Sequence, residues 1–258
     1  MITVFTPSYN RAHLLPRLFD SLLRQSYTDF EWIVVDDGSI DDIESVMKGI
    51  IEQSDSLSFS IKYIKQNNGG KHRAVNRGVE EARGELFFIA DSDDILLPDS
   101  LRIVHDEYET IKNNHYFAGV CGLDVDFDNH VIGSGLPKAI IDSNAFDIRY
   151  KYHVLGDLKE VFRTEVLKEF PFPDYTGERF CPEALVWNRI ARKYQLRYIN
   201  KPIYMVEYQE GGLTDNITKI RHESPKATCM CYKEMLMLPI PLKYRVKALL
   251  NYLRFRFL

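Results

Sequence analysis

A doubly wound α/β fold on a mostly parallel sheet is predicted for this chain of 258 residues. Three observations predict it. Short apolar runs alternate with amphipathic helical patterns over residues 1–115, the signature of successive strand–helix–strand units with right-handed crossovers. Three of those runs end in polar clusters, Ser8-Tyr9-Asn10-Arg11, Asp36-Asp37 and Asp91-Ser92-Asp93-Asp94. In open parallel sheets ligands bind beyond the carboxyl ends of the strands, so these clusters should converge on one edge.

The elements follow in order. Residues 2–5 read as a strand, and Leu14, Leu15, Leu18 and Leu22 then recur at helical spacing. Residues 30–35 form a second strand, 41–53 a helix, and 60–65 a third strand. Val75, Gly78, Val79 and Ala82 mark one face of another helix, and residues 86–90 are apolar throughout, like a strand buried on both faces. Pro98 suits the start of a helix with Leu101, Val104, Tyr108 and Ile111 on its inner face. Beyond residue 115 the pattern loosens. Residues 118–127 and 131–132 suggest strands, 133–149 a loop, 161–162 a short strand, 183–194 a helix, 196–205 an extended segment and Gly211-Gly212 a turn. The expected division is one domain over 1–235, with halves 1–115 and 116–235, and a helical tail over 236–258.

Composition sets bounds. The chain is 45% hydrophobic and 27% charged with net charge −4, ordinary for a globular protein, and bulk electrostatics give no reason to expect nucleic acid as a partner. Four scattered cysteines, Cys121, Cys181, Cys229 and Cys231, are expected to be reduced thiols. The start lacks a basic region before its apolar run, and no stretch has the length of a membrane span. A cytoplasmic location is the expectation.

Four clusters can carry chemistry. Asp91 and Asp93, one residue apart on the turn after an apolar strand, offer hard oxygen ligands to Mg2+ or Mn2+; Asp residues also cap helices, and Pro98 follows closely. Asp37 in Asp36-Asp37-Gly38-Ser39 can accept from a base N–H or ribose hydroxyls, or belong to a plain polar turn. Asn67-Asn68-Gly69-Gly70-Lys71-His72-Arg73 before a helix offers a diphosphate cradle, or a loop of solvated cations. Glu183 opens a helix, where it can act as a general base or only complement the helix dipole.

Taken as an ordered set, Thr6-Pro7-Ser8-Tyr9-Asn10-Arg11, Asp36-Asp37-Gly38-Ser39, Asn76-Arg77-Gly78 with Ala82-Arg83-Gly84-Glu85, and Asp91-Ser92-Asp93-Asp94 resemble family 2 glycosyltransferases of the GT-A fold. The resemblance is dense over residues 1–110 and weaker from Pro182-Glu183 to Arg189. It implies an inverting, metal-dependent hexosyltransferase that uses a nucleotide-sugar, with UDP the expected carrier and TDP or GDP open. It implies a saccharide or lipid-linked saccharide acceptor. Asp37 is then expected on the base, Asp91 near ribose or diphosphate, and Asp93 on Mn2+ or Mg2+ with Asp91 as second ligand. Pro7, Ser8, Tyr9, Lys71 and Ser92 are expected to complete the donor site, with Glu183 as catalytic base. The family often places the Asp of a Glu-Asp pair there; this chain has Pro182-Glu183, so its carboxylate is one methylene longer. A sugar-phosphate nucleotidylyltransferase would want glycines after the first strand, where the chain reads Thr6-Pro7-Ser8-Tyr9-Asn10. A non-catalytic saccharide-binding protein would not need Asp93 and Glu183.

The tail has its own pattern. Val246, Leu249, Leu250, Leu253 and Phe257 fall on one helical side, and Lys243, Lys247 and Arg254 on another, with no acidic residue from 236 to 258. Such a helix suits an anionic membrane surface, or docks on the protein's own core or a second subunit.

Overall fold

The computed structural model describes residues 1–53, 58–207 and 216–257; the predicted turn at Gly211-Gly212 lies outside them. Nine strands form a single sheet: β1 (Ile2–Ser8), β2 (Phe30–Asp36), β3 (Ser60–Lys65), β4 (Leu86–Ile89), β5 (Ile95–Leu96), β6 (Phe117–Val125), β7 (Ile140–Ser143), β8 (Leu158–Arg163) and β9 (Gln195–Met205). Their order is β3-β2-β1-β4-β8-β6-β9-β5, with β7 on β9 outside this path. The helices are α1 (Leu15–Leu23), α2 (Ile43–Ile51), α3 (Lys71–Glu81), α4 (Ser100–Glu109), α5 (Ala145–Tyr150), α6 (Thr164–Glu169), α7 (Glu183–Ala191), α8 (Ile217–Glu223), α9 (Pro225–Met235) and α10 (Leu242–Arg256).

The fold class is as the alternation predicts. β1 to β4 pair in parallel, and β6 pairs parallel with β9. The second half adds what the pattern does not show: β8 enters antiparallel between β4 and β6. β2 is buried along its whole length because helices cover both faces. Alternate residues feed two cores: Val4, Trp32 and Phe88 face one with Leu18 of α1 and Val104 of α4, while Phe5, Ile33 and Phe87 face the other with Val75 of α3 and Val186 of α7. β3 is the edge strand, half-exposed and carrying Lys62 and Lys65, charges that discourage further pairing.

Two expectations are corrected. Residues 133–149 are not a loop: β7 pairs antiparallel with β9, and Asn144 caps α5 by accepting from Phe146 N and Asp147 N. The signal is short because β7 has four residues, alternately exposed and buried, too few to establish a period. Residues 131–132 do not form a strand; Val131 makes one isolated bridge to Val125. The short α6, and α8 and α9 near the end, were not anticipated.

The described part of the tail, 236–257, packs through a face other than the predicted one. Phe255 stacks on Tyr232 of α9 with ring centroids 5.9 Å apart and contacts His222 of α8. Ala248 is also buried, and Leu238 and Ile240 join Phe146 in a small cluster. The predicted apolar side, with Leu250 at 63% exposure and Phe257 at 78%, faces away.

Strands β1, β2, β3, β4, β6 and β9 run toward one edge of the sheet. There the carboxyl ends of β1, β2, β4, β6 and β9 meet the amino end of β8.

Candidate active site

At that edge lies one cleft of about 1140 Å³. Every residue predicted for the site lines it: Pro7 and Ser8 at the end of β1 with Tyr9 just after it, Asp37 after β2, Lys71 at the start of α3, Asp91, Ser92 and Asp93 after β4, and Glu183 at the start of α7.

The loops after β1 and β2 build one wall by bonding to each other. Asn10, in the left-handed region at φ 53°, donates its N–H to Ser39 Oγ, and its side chain accepts from Ile40 N. Asp41 accepts from Ala12 N. This leaves the Tyr9 ring 47% exposed at the wall, and the buried Ser8 hydroxyl without a partner.

Asp37 does more than line the wall. Oδ1 accepts from Gln66 Nε2 at 2.7 Å and Gly69 N at 2.9 Å; Oδ2 accepts from Gly70 N at 2.7 Å and Asn68 Nδ2 at 3.2 Å. A carboxylate has about four acceptor positions, so all are engaged in shaping the loop that delivers Lys71. Two glycines allow the approach. A Cβ on Gly38 would lie 2.6 Å from Asn68 N, and one on Gly70, at φ +96°, only 1.9 Å from Arg179 O. The predicted cradle splits apart here. Lys71 faces the cleft, but Arg73 turns back to Asp174, Gly69 O and Glu178 O, and burial lowers the His72 pKa to about 4. His72 is therefore neutral at pH 7 and no anion binder.

Lys71 joins the two ends of the chemistry. Its Nζ lies 2.7 Å from Asp91 Oδ1 and 3.0 Å from Glu183 Oε1. Burial works against the ammonium, but Asp91 and Glu183 outweigh it and hold its pKa above the ordinary lysine value. Burial likewise works against Asp91, yet Lys71, then Lys159 and Arg11, keep its pKa low. Asp93 pairs with Arg11, while Arg17 holds its carbonyl oxygen. Asp91 and Asp93 are 30% and 20% exposed, two hard carboxylate oxygen donors open to one cleft. That donor set fits Mg2+ or Mn2+. A second group, Asp126, Asp128 and His130, lies on the loop after β6, where Asp126 Oδ1 accepts from Asp128 N and His130 N; those bonds explain the cluster as a turn.

Glu183 follows Pro182 at the start of α7 and is 42% exposed. Glu178, the other acid nearby, is spoken for: it is 5% exposed and accepts from Lys226 N at 2.7 Å and Ala227 N at 2.9 Å, capping α9.

Sequence reasoning missed several lining groups. Arg11 stood in the first motif without a role. Asp94, pushed up to about 7 by burial and by Asp91, accepts from Glu207 N. Tyr204 accepts from Asp91 N at 2.7 Å. Asp124, Lys159 and Glu160 come from β6 and from antiparallel β8, whose placement has no local signal.

A cleft at the ends of parallel strands, with an Asp-x-Asp turn and a carboxylate at a helix start, fits a glycosyltransferase of the GT-A fold. The chain belongs to glycosyl transferase family 2, whose profile matches residues 3–167. Glycosyltransferase GlyG of Streptococcus pneumoniae is 25% identical over 230 residues, 83% of this chain and 72% of that protein. The GalNAc(5)-diNAcBac-PP-undecaprenol beta-1,3-glucosyltransferase of Campylobacter jejuni is 28% identical over 219 residues, 81% of this chain. The chain spans 66% of that glucosyltransferase and 28% of glycosyltransferase GlyA of Streptococcus pneumoniae, so it is shorter than the curated relatives it matches. S. aureus TarS 1-349 in complex with UDP-GlcNAc shares the fold with TM-score 0.69 and 19% identity, over 99% of this chain and 72% of that one. The mannosyltransferase PcManGT of Pyrobaculum calidifontis, solved with GDP-Man and Mn2+, gives TM-score 0.60 and 18% identity, over 97% and 68%.

Proposed function

We propose that this chain is an inverting, metal-dependent glycosyltransferase that moves a hexose from a UDP-sugar to a hydroxyl of a saccharide or lipid-linked saccharide. The observation that carries it is the Lys71 bridge, which joins Asp91 of the Asp91–Asp93 turn and Glu183 through one cation in one cleft. Likeness to a glucosyltransferase named for an undecaprenol-linked substrate supports the acceptor class, and likeness to a UDP-GlcNAc complex supports the donor class.

In this reading Tyr9 stacks on the base, and Ser8 supplies a hydrogen bond to the nucleotide. Asp37 orients the Gln66 and Asn68 amides at the base edge, and exchanges one of its bonds for a base N–H. Lys71 pairs with the diphosphate. Asp93 and Asp91 would hold Mn2+ or Mg2+, which neutralises charge on the departing diphosphate when bound. Glu183 takes the proton of the acceptor hydroxyl as its oxygen bonds to the anomeric carbon, and the bond to the diphosphate oxygen breaks on the opposite face. Configuration therefore inverts. A diphosphate arriving beside Asp91 competes with Glu183 for Lys71 and frees the base.

The test is a donor screen that reads released nucleoside diphosphate with Mn2+ or Mg2+ present. UDP-sugars are expected to turn over faster than GDP- or TDP-sugars, and chelation is expected to stop release. Silence with every nucleotide-sugar, offered with lipid-linked and free saccharide acceptors, would overturn the reading.

We also place the enzyme at a membrane surface through α10. No helix among the described residues is long and apolar enough to cross a membrane. The α10 stripe of Leu242, Val246, Leu249, Leu250 and Leu253, with Phe257 just beyond the helix, is exposed, opposite the face that packs on α9. Lys243, Lys247 and Arg254 border it on one side and Arg245 and Arg256 on the other. Each such cation contributes about 1 kcal/mol near an anionic surface, and apolar burial adds to this. The protein is expected to sediment with phosphatidylglycerol vesicles at low salt and much less with neutral ones. Leu250→Asp with Leu253→Asp is expected to abolish sedimentation and leave donor turnover unchanged. Binding that ignores vesicle charge, or survives both substitutions, would refute a membrane role.

A further inference from the structure

The second half of the chain gives the cleft a floor for which the roles above have no use. Asp124 near the end of β6, and Lys159 and Glu160 at the start of β8, reach the same edge as Asp91. Asp124 is 5% exposed, lines the cleft, and its Oδ1 has no hydrogen-bond partner. A buried carboxylate oxygen without a donor is disfavoured unless a ligand supplies one. Two cations stand nearby, and neither donates to Asp124 Oδ1. Lys159 Nζ sits 3.5 Å from the centroid of the Tyr204 ring, and Arg149 donates to Val154 O at 3.2 Å and Gly156 O at 2.6 Å. Burial pushes the Asp124 pKa up to about 6 and that of Glu160 to about 7, and each receives a further rise from neighbouring acids.

The floor's place follows from strand pairing. β8 lies between β4 and β6, with Val161 opposite Phe88 and Leu158 opposite Leu123, so Lys159 and Glu160 sit beside the end of β4 that leads to Asp91. Asp124, Lys159 and Glu160 share one cleft with the Asp91–Asp93 turn and Glu183. In a single displacement the anomeric carbon lies between the diphosphate and the base, so the ring attached to it rests in this cleft.

We propose that Asp124 and Glu160 seat the sugar being transferred, accepting hydrogen bonds from the hydroxyl or amide N–H groups of a neutral pyranose and repelling a uronic acid. This deepens the nucleotide-sugar reading and rests on it. The seat recognises glucose-, galactose- or N-acetylhexosamine-type rings, whose only charges lie on the diphosphate. A carboxylate at C6 of a ring seated on Asp124 and Glu160 would meet two protein carboxyl groups.

The test is calorimetric titration of the wild type, Asp124→Asn and Glu160→Gln with UDP, UDP-glucose, UDP-N-acetylglucosamine and UDP-glucuronic acid. Hydrolysis of each donor by water is followed alongside. The wild type is expected to prefer its best neutral donor over UDP-glucuronic acid by about tenfold or more. Both variants are expected to bind UDP within about twofold of wild type, and the preference is expected to shrink about tenfold in Asp124→Asn. A preference unchanged in both variants would overturn the seat, and so would an equal loss of UDP and UDP-sugar affinity, which marks a structural role. Wild type that binds UDP and neutral UDP-sugars but shows no bias against glucuronate leaves the nucleotide-sugar reading standing and removes this one. Wild type that binds no UDP compound removes both.

Discussion

Asp93→Ala is expected to abolish transfer, with a loss on the order of 10²- to 10³-fold or more, the range for removing a group that stabilises developing charge. Asp93 is 20% exposed, ion-paired with Arg11, and fixed through its backbone oxygen by Arg17. Alanine removes one of the two carboxylates on the Asp91–Asp93 turn and leaves Arg11 without its ion-pair partner. Arg11 then attracts phosphate by itself, so donor binding should survive in part while its dependence on Mn2+ or Mg2+ disappears. Asp91→Ala should weaken both, because Lys71 also loses its nearest partner. The measurement is nucleoside diphosphate release across a metal titration. Near-native turnover of Asp93→Ala at ordinary metal concentration would sink the metal assignment.

Glu183→Gln is expected to fold, bind donor and lose at least about 10²-fold in turnover, the usual effect of removing a general base. Glutamine keeps the shape and can still accept from Lys71, so the donor Michaelis constant should move little. A fall in turnover with constant Michaelis constant is the pattern of a group needed only in the transition state. Retained activity would move the base elsewhere. Glu178 could not take the role, since both its oxygens cap α9. Glu160, which lines the cleft with its pKa pushed up to about 7 by burial, would be the group to examine.

Both experiments turn on residues the sequence named, and the reason lies in locality. The Asp91–Asp93 turn and the Asp36–Ser39 turn each follow a strand whose apolar run is complete within a few residues, so element and ligand edge are legible together. The Asn76 motif also has a visible cause: its side chain donates to Phe172 O and accepts from Phe172 N, pinning a distant segment to α3. What the motif holds could not be read from its own neighbourhood. The same limit applies to Arg11, which is two residues from Tyr9 in sequence yet meets Asp93 from another strand's end.

Sequence alone determined the parallel half of the sheet, the convergence of three strand ends, and the family, because strand–helix units repeat a local period and consecutive units pack in a fixed hand. Tertiary structure decided the rest. β8 takes its place between β4 and β6 through antiparallel pairing, which no local period encodes, and with it come Lys159 and Glu160. Asp37 gains four donors from a loop beyond the next strand, and Lys71 meets Glu183 from the far half of the chain. The tail could be read as amphipathic from its sequence, but which of its faces packs was set by Tyr232 and His222, whose rings receive Phe255 and leave the leucines outside. Long-range pairing is chosen by total burial and by satisfied hydrogen bonds, quantities that exist only once distant segments have met.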